Sequence, residues 1–383
     1  MEKKILMLHS SSDLYGASLI FSNVIKTLQE AGYKPIVLLS DEGPLVDKIR
    51  FLGVEVILID LAVLRRKSYS LSGIINSFFR MIRAILKLRK IIKREGVQLV
   101  YSNTFAVITG AFAAKSLSIQ HFYHIHEIIE KPTWLAQFFT RVLNWTSSIA
   151  VVVSDAVKRN LISSGVTAEL VMVYNGLDYT PFLEEEMDLR SDFGFSVTDV
   201  VIGVVGRIHF WKGQDYFVEI CKDLQSRGLK AKYLVVGDVV PGYENLEISL
   251  KSKIQDLNLE NDFILTGFRS DIPKILNTID LFVSPSILPD PLPTVILESM
   301  AAAKPVVATK HGGALEMIKE GLTGAFIPIS DVTEAANVID SILKRPEQLL
   351  EMGENGRKRV KKYFSKESFD EKIIQVIQKA IAN

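Results

Sequence analysis

The chain of 383 residues has one cysteine, Cys221. It cannot close an internal disulfide, so the fold must rest on its core, and a reducing compartment such as the cytoplasm is expected. Long apolar runs are also missing. The uncharged stretch from Gly96 to Ala114 contains Gln98, Ser102, Asn103 and Thr104. A spanning helix needs about 20 mostly apolar residues, so this stretch reads as a strand and the start of a buried helix. The opening MEKKILMLHSS has only four consecutive apolar residues and reads as a first strand, not a signal peptide. No short-period repeat, low-complexity segment or Gly-x-Gly-x-x-Gly fingerprint occurs. Strong net charge is absent too. The balance of +1 argues against whole-chain binding to nucleic acid.

What is present is apolar bulk and an uneven charge. Hydrophobic residues make up 48% of the chain, enough for two domains of ordinary size. Up to Thr180 there are 21 basic and 14 acidic residues, a balance of +7, whereas the remainder holds 24 and 30, a balance of −6. The first half should therefore carry an electropositive face.

Short apolar runs alternate with helical patterns. Expected strands are Ile5–His9, Pro35–Leu39, Val54–Ile59, Leu99–Ser102, Phe122–His126, Ile149–Val153 and Leu170–Tyr174. Near Pro181 the rhythm breaks, and Glu184, Glu185, Glu186 and Asp188 form an acidic linker. It restarts with Val200–Val205, Lys232–Val236, Phe263–Leu265, Leu281–Val283, Pro305–Ala308 and Ala325–Ile327. The reading is α/β, with two Rossmann-like parallel-sheet domains facing a central cleft. Ligands of such sheets bind beyond the carboxyl ends of the strands.

The stretch LFVSPSILPDPLPTVILESMAAA, Leu281 to Ala303, organises the second half. A buried strand runs into a loop, then a helix from Thr294. Pro291 and Pro293 sit at the helix entry, where Pro is tolerated. The amides of Leu292, Thr294 and Val295 would face anionic oxygens. Asp290 precedes them, and Glu298 follows Thr294 by four residues, on the same helix face. This suits a nucleotide-sugar socket. The plainer alternative is a βα turn with two solvated acids.

Other loops add to it. Gly16 follows the first strand, just before a helix that starts near Ser18, and lets backbone approach a ligand or simply makes the turn. His124 and His126 end a strand. The pair suggests a metal only weakly, because zinc needs three or four ligands and no third is evident. A polar contact to substrate is expected of His126, and packing of His124. Asn175-Gly176 reads as a turn at the domain exit. In VIGVVGRIHFWKG a strand runs into Gly206, with Arg207 and Lys212 behind it. Arg as a fork and Lys as a point charge could clamp a diphosphate. Gly312-Gly313, after another strand, again permits close backbone approach, and Glu316 could cap or contact ligand. Between Leu71 and Glu95, Ile74, Ile75, Phe78, Ile82, Ile85 and Leu86 recur at helical spacing among Arg80, Arg83, Lys87, Arg89, Lys90, Lys93 and Arg94. This is either a domain helix with a charged outer face or an amphipathic helix for an anionic membrane surface.

Taken in order, NGLD, GRIHFWKG, LVVGD, TGFRSDI, SPS…DPLPTVILESMA and TKHGGALEMI resemble the family 4 retaining glycosyltransferases, of GT-B fold. The resemblance spans nearly the whole chain. It implies an N-terminal acceptor-binding domain, 1–183, joined by a C-terminal crossing helix, 365–383, and a nucleotide-sugar domain, 184–364. Phe369, Ile373, Val376, Ile377 and Ala380 have the apolar spacing for that helix. The family's two Glu fall on Asp290 and Glu298, the first replaced by the shorter acid. The resemblance implies that Asp290 faces the donor sugar, Glu298 binds ribose hydroxyls, Arg207 and Lys212 hold the diphosphate, and His126 lies near the sugar. Gly16 matches the second Gly of a Gly-Gly loop, but Tyr15 stands where the first belongs, and Ser18 where Glu is frequent.

The expected activity is metal-independent hexosyl transfer, with retention, from a nucleoside diphosphate sugar to a sugar or lipid-linked acceptor, in cell-surface polysaccharide or glycolipid biosynthesis. No Asp-x-Asp pair occurs to hold a divalent ion, so Arg207, Lys212 and helix amides must meet the leaving charge. Domain closure would exclude water. The expected place is cytoplasmic, peripheral at the inner membrane face through 71–95. The alternatives are a catalytically silent nucleotide-sugar-binding subunit and a nucleotide-sugar epimerase on the same fold.

Overall fold

The computed structural model of the chain describes residues 3–63, 71–184, 187–240 and 242–382, and the side chains of 71–75 fall outside that description. Glu185 and Glu186 of the expected linker, and the side chains of Ile74 and Ile75, therefore lie outside the described residues. The chain forms two compact units, Met1–Leu177 with Lys366–Asn383, and Asp178–Ser365.

The first unit is built on β1 (Lys3–Leu8), β2 (Tyr33–Leu39), β3 (Glu55–Leu58), β4 (Leu99–Ser102), β5 (Gln120–Ile125), β6 (Ile149–Val152) and β7 (Glu169–Met172). The order is β3-β2-β1-β4-β5-β6-β7, and every pair is parallel. These strands are apolar runs without alternation because helices cover both faces of such a sheet. Leu6, Leu8, Ile36, Leu38 and Val100 form one core with Leu88 and Ile92 of the helix Leu71–Glu95.

The second unit repeats the plan with β8 (Val200–Val205), β9 (Ala231–Val236), β10 (Phe263–Leu265), β11 (Leu281–Ser284), β12 (Val306–Thr309) and β13 (Gly324–Ile327). Its order is β10-β9-β8-β11-β12-β13, again all parallel. Phe217, Tyr233, Val235 and Phe263 sit in its core. All thirteen expected strands are present, with ends moved by two residues or fewer.

Both sheets reverse direction of growth beside their first strand. The chain leaves β1 to one side and later returns to β4 on the other. It does the same at β8 and β11. The loops at those paired carboxyl ends diverge, which leaves an opening at the sheet edge. Residues 9–15 and 103–108 flank it in the first unit, and 206–213 and 285–293 in the second.

The helix Lys366–Ala382 belongs to the first unit. It buries Phe369, Ile373, Val376, Ile377 and Ala380. Phe369 stacks on His124 at 6.3 Å, Asp370 accepts a 2.7 Å hydrogen bond from Thr27, and Lys379 meets Glu169 at 2.6 Å. The exposed ion pair contributes about 1 kcal/mol or less, so apolar burial holds the helix in place. Phe369→Ala is expected to lower the stability of the first unit by about 3–5 kcal/mol, read as a shifted urea midpoint, whereas Lys379→Ala should cost under about 1 kcal/mol.

Candidate active site

In the second unit, β8 runs into Gly206, whose N–H is held by Val236 O at 2.8 Å. Arg207 follows, half-buried, with its carbonyl accepting 2.8 Å from the Gln214 amide. A single 3-10 turn, Phe210–Lys212, leads to Gly213. Gly213 has φ +76°, and a Cβ there would lie 1.9 Å from the Pro285 carbonyl oxygen. Only glycine fits both demands. The N–H of Ile287 donates to Trp211 O at 2.8 Å. The loops after β8 and β11 are thereby stitched to each other.

The stitch brings two site residues into contact. Lys212 Nζ lies 2.5 Å from Asp290 Oδ2, with the side chains 24% and 14% exposed. Asp290 is fixed from beneath. Gly313 N–H donates to its carbonyl at 2.8 Å. A Cβ on Gly312, at φ +60°, would fall 2.5 Å from the same oxygen. The Gly-Gly pair therefore serves close approach to the Asp290 backbone. The pair is only partly exposed, and an anion arriving at this edge would compete with Asp290 for Lys212.

The helix Thr294–Ala301 starts beside them. No side chain caps it, and Pro293 occupies the cap position. The amides of Thr294 and Val295 fall in its first turn, where intrahelical acceptors are lacking. Leu292 is buried just ahead of them. Glu298 sits one turn in and is 9% exposed. Burial pushes its carboxyl up to about 7, offset in part by the Thr294 hydroxyl that bonds to it. The structure thus gathers Gly206, Arg207, Lys212, Asp290, Leu292, Thr294, Val295 and Glu298 at the carboxyl edge of β8 and β11.

Gly16 and His126 belong to the first unit. Gly16 is the first residue of the helix Gly16–Glu30, two positions earlier than expected. His126 directly follows β5 and is half-buried. Between them lies a polar cluster that the sequence reading passed over. His9, which follows β1, contacts Ser18 through Nε2 at 3.0 Å and Asn103 through Nδ1 at 3.2 Å. Asn103, which follows β4, contacts the Ala17 carbonyl, Tyr101 and His126. Asp13 accepts from Ser11 and Ser18. His124 is fully buried, as packing predicts, and desolvation pushes it down to about 3. Burial, with His124 and His9 nearby, also holds His126 well below the usual histidine range. Next to it, burial raises the Glu127 carboxyl to about 7, against hydrogen bonds from Thr104 and from backbone N–H groups. One signal could have found the cluster. His9 and Asn103 each follow a buried parallel strand, and Leu8 and Ser102 before them are in register. Among the described residues no group of three or more His, Cys, Asp or Glu is placed to hold a metal. At the unit's end Asn175 is buried, and Gly176 does not take the left-handed torsion of the expected turn.

Two family models match this chain. Glycosyltransferase Family 4 covers residues 16–180, and Glycosyl transferases group 1 covers 186–359. The chain is a family 4 glycosyltransferase. This glycosyltransferase superposes on Anabaena HepE in complex with UDP-glucose with a TM-score of 0.86 at 24% identity, covering 98% of this chain and 99% of that one. The likeness places it in the GT-B fold class. It is 32% identical over 170 residues to the alpha-D-kanosaminyltransferase of Streptomyces kanamyceticus, a match spanning 44% of this chain and 42% of that protein. It is 25% identical over 287 residues to the UDP-Gal:alpha-D-GlcNAc-diphosphoundecaprenol alpha-1,3-galactosyltransferase of Escherichia coli, 69% of this chain and 70% of that protein.

Glu298 gives the glycosyltransferase a pH signature. Its folded pKa, about 7, lies above the ordinary glutamate value of 4.5. A raised pKa means stability that is fully present below about 4.5 and declines as pH rises to about 7. Glu298→Gln should therefore match the native chain in stability near pH 4.5 and exceed it above pH 7, by up to about 3 kcal/mol. Urea unfolding across that range checks it. A constant difference would show that this carboxyl does not titrate in the window.

Proposed function

We propose that the chain transfers a hexosyl unit from a nucleoside diphosphate sugar to an acceptor hydroxyl, with retention, during assembly of a cell-surface polysaccharide or glycolipid. The observation that carries this is the Lys212–Asp290 contact, set in loops that also bear Arg207 and an uncapped helix start. Cleavage of the glycosidic bond leaves negative charge on the departing diphosphate. Arg207, Lys212 and the amides of Leu292, Thr294 and Val295 meet that charge, fixed in advance of the reaction. Glu298, which titrates near neutrality, can donate to or accept from ribose hydroxyls. Asp290 and His126 orient the sugar, and Gly16 lets backbone come close to substrate. No side chain is placed as a covalent nucleophile in this reading. The leaving phosphate takes the acceptor proton on the face it departs from. The E. coli relative is named for an alpha-D-GlcNAc-diphosphoundecaprenol acceptor, which supports a sugar or lipid-linked acceptor here.

Calorimetric titration with UDP-, GDP- and ADP-sugars, with and without EDTA, tests it. One donor should bind equally in both conditions, and Lys212→Ala should weaken it roughly 10- to 100-fold, the loss of one charge-assisted contact. No binding to any donor would favour a silent subunit. Product formed without an acceptor would favour an epimerase.

The helix Leu71–Glu95 supports a peripheral membrane site on the first unit. It packs inward through Ala84, Leu88 and Ile92. It has a second apolar row facing out, with Phe78 53%, Ile82 38% and Leu86 53% exposed, at four-residue spacing. Arg83, Lys87, Lys90, Lys93 and Arg94 are exposed on the same helix. Arg80 leaves this set, because its Nε and Nη2 both grip the Asp60 carboxylate at 2.7 Å. No helix among the described residues is long and apolar enough to cross a membrane. An exposed apolar row edged by cations suits shallow insertion among anionic headgroups. The protein should co-sediment with phosphatidylglycerol vesicles and not with phosphatidylcholine. Each of Arg83→Gln and Lys87→Gln should weaken binding roughly fivefold, about 1 kcal/mol per cation. Binding that ignores both lipid charge and salt would sink the idea.

A further inference from the structure

We propose that Asn103 is a positioning residue that fixes the ring tautomers of His9 and His126, so that His126 meets substrate as a hydrogen-bond acceptor through a bare Nδ1. The inference deepens the transferase reading and rests on it for the word substrate.

One backbone carbonyl fixes the orientation of the Asn103 amide. Asn103 Nδ2 lies 3.1 Å from Ala17 O, and a backbone carbonyl only accepts. The amide end of Asn103 must therefore face Ala17, and its carbonyl end must face the other way. Every proton in the cluster then has one place to be. On the amide side, Asn103 Nδ2 donates to His9 Nδ1 at 3.2 Å, so that nitrogen is bare. The His9 proton sits on Nε2 and is donated to Ser18 Oγ at 3.0 Å. The Ser18 hydroxyl passes its own proton toward Asp13 Oδ1 at 2.9 Å. On the carbonyl side, Asn103 Oδ1 only accepts. It takes the Tyr101 hydroxyl proton at 2.8 Å and the His126 Nε2–H at 3.3 Å.

Tyr101 has then spent its one proton. Its 2.7 Å contact to His124 Nδ1 requires that His124 be the donor. His124 Nε2 is left bare, and it is buried without a partner among the described residues. His124 is fully buried, with Phe369 stacked on its ring face at 6.3 Å, so its Nε2 is a packed end rather than a site. His126 differs. It is half-buried at the open edge of β5, and among the described residues its Nδ1 takes no hydrogen bond. With the proton held on Nε2 by Asn103, Nδ1 presents a lone pair. Sugar hydroxyls can donate to it, and an amide or ammonium donor would fit equally. A carboxylate or phosphate oxygen, which only accepts, would be rejected. Desolvation keeps both His124 and His126 neutral near pH 7, so each ring has one donor and one acceptor to assign.

The chain labelled with 15N-histidine and read by two-bond 1H–15N correlation at pH 7.5 tests this without any substrate. His9 and His126 should show the proton on Nε2, and His124 on Nδ1. Asn103→Leu should leave His126 without a single tautomer, its two nitrogens moving toward intermediate shifts. His121, held between Ser102 and Ser147, should keep its pattern and so report that the fold persists. Asn103→Asp separates tautomer control from simple packing. A carboxylate accepts on both sides, so the His9 proton should move to Nδ1 while His126 keeps its own on Nε2. A proton on His126 Nδ1 in the native chain, or an Asn103→Leu spectrum with His126 unchanged, overturns the proposal. UDP-glucose is then titrated in. If it binds by calorimetry and the Nδ1 resonance of His126 shifts to lower frequency, the acceptor role stands. If it binds and neither nitrogen of His126 moves, the substrate half is overturned. Failure to bind any donor counts against the transferase reading, and the tautomers remain decided by the first spectra.

Discussion

The second unit depends on a contact that tolerates no side chain. Its sheet grows outward from β8 in one direction and resumes at β11 in the other, so two loops leave neighbouring strands and part. A gap at that point is useful only if its walls are fixed. Gly213 fixes them. Its backbone touches the Pro285 carbonyl, where a Cβ would lie 1.9 Å away. The hydrogen bond from Ile287 to Trp211 extends the seam. Lys212 comes just before that glycine and Asp290 five residues after Pro285, so the seam decides that a cation and a carboxylate meet. The Gly312-Gly313 pair makes a second contact of the same kind beneath Asp290. Three glycines thus hold the position of one ion pair. On the proposed transferase reading, the polar groups would need little reorganisation as charge develops, which is where most electrostatic catalysis comes from.

Much of this was legible in the residues, and the boundary of what was legible has a physical cause. Parallel strands covered on both faces are continuous apolar runs, so Val200–Val205 and Leu281–Ser284 declare themselves locally. Helix faces do the same, and the apolar spacing from Phe369 to Ala380 identified the buried side of the last helix. Charged residues in a βα loop are also visible, which is why Arg207, Lys212 and Asp290 could be named. What stayed hidden depends on pairing across strands. Nothing near His9 in sequence announces Asn103, which is 94 positions away. Only the placing of β4 beside β1 brings them together. Gly312-Gly313 was visible as a flexible pair, but its use was not. The backbone it serves is that of Asp290, on a different strand's loop.

The two units solve the problem of buried polarity differently. In the second, Glu298 is nearly enclosed and has Thr294 as partner, so its carboxyl is pushed up to about 7. It keeps the option of a proton, and the cost of burying full charge is avoided. In the first, the cluster contains three imidazoles, a phenol, an amide and two hydroxyl groups around Asp13, and most of these groups are paired with one another. A network paired in this way loses little by burial, because each donor faces an acceptor. One route suits a group that can gain or lose a proton near neutrality. The other handles groups whose orientation must not change.

The aspartate at 290, where the family resemblance leads one to expect a glutamate, is best understood against that background. An aspartate is one methylene shorter, and a shorter acid on a loose loop would lose its reach toward a cation. Here the loop is not loose. Gly313 N–H holds the Asp290 carbonyl at 2.8 Å, and the carboxylate arrives at Lys212 within 2.5 Å. Reach has been transferred from the side chain to the backbone. A shorter side chain also has fewer rotamers to lose when it is fixed. The substitution therefore does not remove the cation–carboxylate pair from the sheet edge. It ties the pair more closely to the two loops that carry it, so a change in Gly312 or Gly313 should reach Lys212 as surely as a change in Asp290 itself.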